Sequence, residues 1–126
     1  MSRTPRAIQD SLPGAQVAPV WDPVEKEFQA QVIELAHVLS WTVAHFRPAM
    51  TKHGWRTPAG ADGAGFVDLV LAGRGRVLFR ELKTRHGRLS DDQKAWGELL
   101  TRNGADYAVW RPSMWDEIAT DLGAKG

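Results

Sequence analysis

Cysteine is absent from all 126 residues of the chain. That excludes disulfides, thiolate metal sites, zinc ribbons and cysteine nucleophiles, and it is compatible with a reducing cytoplasm. No apolar run approaches the roughly 18–20 residues of a membrane span, so no membrane partner is expected. The N-terminus lacks the apolar stretch of a secretory signal. The four histidines (His37, His45, His53, His86) have no zinc-like spacing, and His37 and His45 read as packing or surface residues. There is no internal repeat, and a formal net charge of +1 selects no partner by itself.

With 43% hydrophobic residues, the chain can bury one core. Residues 1–20 contain three prolines and no period, which predicts a disordered lead-in. A single domain over 21–122 and a tail at 123–126 follow. Charge is unevenly spread: from Val43 to Arg88 there are nine Lys/Arg against three acids (Asp62, Asp68, Glu81). Such a block either steers a polyanion or forms a solvated surface balanced elsewhere.

Asp22-Pro23-Val24-Glu25 predicts a helix start, with Asp22 as N-cap, Pro23 first in the helix and Glu25 in the capping-box position. Val24, Phe28, Val32, Leu35 and Leu39 supply its apolar stripe. Trp41–Phe46 reads as a strand, and Arg47 to about Ala64 as a long loop that is functional or mobile. Two strands joined by a Gly-rich turn follow, G-F-V-D-L-V-L (65–71) and R-V-L-F-R-E-L-K (76–83). Ser90 opens a second helix with an S-x-x-Q capping box, and Asn103-Gly104 closes it. Tyr107–Trp110 is a fourth strand, and Ser113–Leu122 a short terminal helix. Trp21, Trp41, Trp96, Trp110 and Trp115 read as core anchors, with Trp96 meeting Trp110. The expected class is α/β (α+β), in the order α-β-β-β-α-β plus a C-terminal helix. Its four-stranded sheet is mixed, three strands pairing antiparallel and the fourth in parallel.

The chemistry concentrates at Asp68 on one strand and Glu81-Leu82-Lys83 on the next. Side chains alternate along a strand, so Glu81 and Lys83 share a face. Two carboxylates about 4 Å apart repel by roughly 4 kcal/mol at an effective dielectric near 20. Such a pair needs a cation between its members or a proton on one of them. The plain alternative is a solvated strand end, with Lys83 simply paired to Glu81.

These blocks, together with G-R-L-S-D-D-Q-K-A-W (87–96), Asn103-Gly104 and Y-A-V-W-R-P (107–112), resemble the PD-(D/E)XK nuclease superfamily, in particular its VRR-NUC branch. The resemblance covers about residues 22–118 and implies a restriction-endonuclease-like core. It implies a metal-dependent DNA nuclease that reads structure (flap, junction or end) in DNA repair, recombination or phage DNA processing. Asp68, Glu81 and the Leu82 backbone carbonyl would bind Mg²⁺ or Mn²⁺, hard cations suited to oxygen donors. Lys83 would orient the attacking water and neutralise phosphate charge. Glu25 or Glu27 would complete the site, and Glu25 lies nearer the apolar stripe on a helical wheel. Gln93 would stand near the metal, although it also fits the capping box with Ser90.

Arg85 and Arg88 are the nearest phosphate-gripping candidates, and Arg47, Lys52, Trp55 and Arg56 of the long loop are further DNA-binding candidates. Junction cutting would favour a symmetric homodimer. In one respect the chain departs from the family: Val67 stands where proline usually precedes the aspartate. Proline there ligates nothing, so the site is expected to survive. Two rivals stay open, a restriction-like nuclease reading a short sequence and a non-catalytic nucleic-acid-binding module.

Overall fold

The computed structural model describes residues 19–46, 49–51, 54–56 and 60–124, with backbone pairing alone at 49–51 and 54–56. The first helix, α1, spans Glu25–Val38. Phe28, Val32 and Ala36, spaced by four, form its fully buried stripe. Val24 is 68% exposed and does not join that stripe. The expected capping box also fails. Val24 is the N-cap in an extended conformation, and no side chain caps the helix. Pro23 is buried and Trp21 packs edge-on against Phe28 and Trp115, which together fix the approach path and start the helix two residues later.

Strand β1 (Thr42–His45) leads to a small hairpin, β2 (Ala49–Thr51) and β3 (Gly54–Arg56), within the stretch read above as loop. Strands β4 (Leu69–Gly73) and β5 (Arg76–Leu82) follow, then α2 (Asp91–Arg102) and β6 (Asp106–Trp110). A 3-10 turn at Pro112–Met114 leads into α3 (Trp115–Asp121). Four strands form one sheet in the order β1-β4-β5-β6, antiparallel at the first two junctions and parallel at the last. The expected mixed sheet is thus present, with β2-β3 as a separate ribbon.

Alternation sorts the layers. Leu69, Leu71, Leu78, Leu82 and Trp110 face α1 and α3 and form the main core with Phe28, Val32, Trp115 and Ile118. The Trp41 indole is tied into it by donating to the Leu122 carbonyl at 2.8 Å. On the opposite face, the close approach of Gly97 to the Tyr107 ring seats α2 on β6; a Cβ at Gly97 would lie within 2.6 Å of that ring. The two tryptophans expected to meet lie in different layers. Trp96 packs on Phe66 with centroids 5.0 Å apart, whereas Trp110 lies in the main core beneath Arg80.

The β4–β5 turn has positive φ at both central residues, Arg74 (51°) and Gly75 (76°), the requirement of a type I′ hairpin. At residue 74 the strained arginine backbone is accompanied by a side-chain hydrogen bond, Nε to the Leu39 carbonyl at 2.9 Å. No helix among the described residues is long and apolar enough to cross a membrane.

Candidate metal and phosphate site

Asp68 lies one residue before β4. Continuing the Leu69↔Arg80 register by one step sets it opposite Glu81. The Asp68 carboxylate is anchored by its neighbour strand, as the Leu82 amide donates to Oδ2 at 2.8 Å. Its backbone carbonyl accepts from the Phe46 amide at 2.9 Å, which ties β1 to the same point. Glu81 is 2% exposed. Burial first, then the charge and hydrogen bonding of Asp68, raise its carboxyl from the ordinary 4.5 to about 8, with Lys83 pulling the other way. Lys83 Nζ stands 3.8 Å from Glu81 Oε2. Glu81 Oε1 is buried and receives no donor from the described residues.

Gln93 completes the expected capping box and also reaches Glu81. Its Oε1 accepts from the Ser90 amide at 2.8 Å and Ser90 Oγ accepts from the Gln93 amide at 3.2 Å, completing the capping box. Its Nε2 donates to Glu81 Oε2 at 3.0 Å. Glu25, at the start of α1, has its carboxyl raised by partial desolvation first and by Asp68 second, while Lys83 lowers it. The α1 N-terminus therefore stands at the same end of the sheet, and Glu25 lies within electrostatic reach of Asp68 and Lys83. Nevertheless, no group of three His, Cys, Asp or Glu side chains among the described residues is arranged to hold a metal ion. The carboxylate content of the site is a pair, with Glu25 as an electrostatic neighbour.

The residues present fit a hard divalent cation. All the donors are oxygens, each carboxylate has one oxygen fixed by a protein donor, and Glu81 Oε1 is left buried without a donor. Asp68, Glu81 and the Leu82 carbonyl are the groups that would hold it.

The expected basic field is smaller than its count. Arg80 is 2% exposed and Arg76 is partly so; both pair with Asp106 and Asp121 at 2.9–3.0 Å. Hydrogen bonds from Arg76, then from Arg80 against the cost of burial, hold the Asp106 carboxyl below its ordinary value. Such a network braces β5 against β6 and α3, so these two arginines are committed to structure. By contrast, no acidic side chain among the described residues pairs with Arg85 or Arg88. Arg85 is half-buried and Arg88 exposed, immediately beyond Lys83. Arg47, Lys52 and His53 lie outside the described residues, and Trp55 and Arg56 are described only as part of β3.

Three residues of consequence escaped the sequence reading. Arg111 donates to the carbonyls of Thr84 (2.8 Å) and Gly87 (2.7 Å), and so pins the Arg85–Arg88 tract. Parallel pairing of Glu81 with Val109 and Leu82 with Trp110 would have set Arg111 beside Lys83. Gly65 (φ +82°) packs its backbone on Asp92 in the first turn of α2, where a Cβ would fall 2.5 Å from the Asp92 Cβ. Tyr107 lies close enough for Glu81 to raise its hydroxyl further, beyond the effect of burial. No protein-family model matches the chain, and no curated protein matches it.

Proposed function

We propose that the protein is a metal-dependent phosphodiesterase acting on DNA, built on a restriction-endonuclease-like core of the VRR-NUC type. One observation carries this reading: a buried glutamate with an undonated oxygen faces an aspartate across the strand pair, with a lysine 3.8 Å away. A fold that buries Glu81 opposite a half-buried Asp68 gains nothing in stability from two charges so placed, since burial of a charge is costly without full pairing. A proton on Glu81 relieves the pair in the metal-free protein, and a ligand of opposite charge would relieve it in the loaded one.

A Mg²⁺ or Mn²⁺ ion held by Asp68, Glu81 and the Leu82 carbonyl would supply Lewis acidity to phosphate and water. The remaining steps belong to the chain. Lys83, partly shielded from solvent, presents a cation to the scissile phosphate and a donor that orients water for in-line attack. Gln93 holds Glu81 in place through Oε2. Arg85 and Arg88 grip flanking phosphates without reading bases, which favours recognition of DNA structure over sequence.

Lys83 is no metal ligand in this scheme. Lys83→Ala is therefore expected to lose most cleavage while calorimetry still detects Mn²⁺ binding. Loss of Mn²⁺ binding in that variant would make Lys83 a clamp for the carboxylates and remove its catalytic role.

A further inference from the structure

Beside the carboxylate pair lies an aromatic cleft that the scheme above does not use. Phe46, Phe66 and Trp96 line it together with the 60–63 turn, enclosing about 380 Å³, within the roughly 300–1,000 Å³ of ligand-sized clefts. Phe66 meets Phe46 at 5.6 Å and Trp96 at 5.0 Å, both edge-to-face, so the flanking rings stand nearly perpendicular to it. Phe46 is 38% exposed, a large apolar surface left to solvent. The Trp96 indole is held in orientation by its Nε1 donating to the Asp62 carbonyl at 3.1 Å.

Connections to the site are short. The Phe46 amide bonds the Asp68 carbonyl, Phe66 precedes Asp68 by two residues, and Trp96 sits one helical turn after Gln93, which touches Glu81. Cations that would hold the adjoining phosphates, Lys83, Arg85 and Arg88, lie just beyond the end of β5. A ring-lined slot next to a phosphate-binding end matches a nucleotide, with the base against the rings and the phosphate against the cations.

We propose that the Phe46–Phe66–Trp96 cleft stacks one unpaired nucleobase of a DNA strand whose neighbouring phosphate sits at Asp68, Glu81 and Lys83. The inference rests on the nuclease reading and narrows it to substrates with single-stranded character at the cut.

The test is binding in EDTA, with a short single-stranded oligonucleotide carrying 2-aminopurine and a blunt duplex of the same sequence. The wild type is expected to prefer the single strand and to change 2-aminopurine emission at one position. Phe46→Ala and Trp96→Ala should each weaken single-strand binding about tenfold or more, with Trp96→Phe restoring much of it. Thermal melts check folding, and should Trp96→Ala fail to fold, the exposed Phe46→Ala carries the result. Folded variants that keep the wild-type preference and emission change overturn the proposal; a cleft serving a protein partner would give that outcome. Cleavage with Mn²⁺ is scored separately. Base stacking without cleavage refutes the nuclease reading, and cleavage with unaltered strand preference refutes the cleft.

Discussion

Gln93 shows how one carboxamide can serve a helix and a site together. Its oxygen caps α2 and its nitrogen fixes Glu81, a division that glutamate could not perform because it has no donor when ionised. The cap was readable, since S-x-x-Q marks it, and the resemblance implied a glutamine on the side of the sheet that carries Glu81. Coexistence of the two roles required the distance from α2 to β5, which no local pattern contains. Glu81 carries the sharper consequence. Its carboxyl is raised to about 8, so in metal-free protein it keeps its proton when folded and loses it near 4.5 when unfolded. Its contribution to stability is therefore full below about 4.5 and is lost as pH rises towards 8. The metal-free melting temperature should fall across that window, and Glu81→Gln should flatten the fall. A wild-type profile already flat, or an equal slope in the variant, would show that the carboxylate pair is not desolvated as described.

Elements with strong local signals were legible. The apolar spacing of α1, the S-x-x-Q start and Asn-Gly stop of α2, and the alternation of β4 and β5 depend on neighbours in sequence. What depended on distant partners was not. Trp21 and Pro23 override Asp22 as the start of α1, a choice made by packing against Phe28 and Trp115. The β2–β3 hairpin was hidden because strands of three residues hold no period. Gly65 looked like ordinary turn punctuation, yet it is where the Asp68 segment touches α2. Gly65→Ala should destabilise the fold by at least about 2 kcal/mol, from the positive φ and the contact with Asp92. Chemical denaturation measures this directly, and a change within about 0.5 kcal/mol, the range of surface substitutions, would show that the segment and helix are not braced there.

Across the whole molecule, charge divides into two populations. Arg76 and Arg80 are bound to Asp106 of β6 and Asp121 of α3, while Arg85 and Arg88, beside Lys83, have no acidic partner among the described residues. A count along the sequence could not separate them, because the pairing acids lie more than twenty residues away in sequence. If the unpaired group contacts phosphates, replacing Arg85 and Arg88 together by Ala should flatten the slope of log K against log salt by about two. An unchanged slope would move the DNA path elsewhere. The central claim, that Asp68, Glu81 and Lys83 form a metal-dependent phosphodiesterase, is tested most directly by cleavage. Metal-stripped protein and its Glu81→Ala variant, purified identically, are incubated with duplex, single-strand, flap, splayed-arm and four-way-junction DNA. The account predicts cleavage by the wild type on adding Mg²⁺ or Mn²⁺, none in EDTA, and none by Glu81→Ala. Cleavage in EDTA, equal cleavage by the variant, or an intact panel with both metals would contradict it.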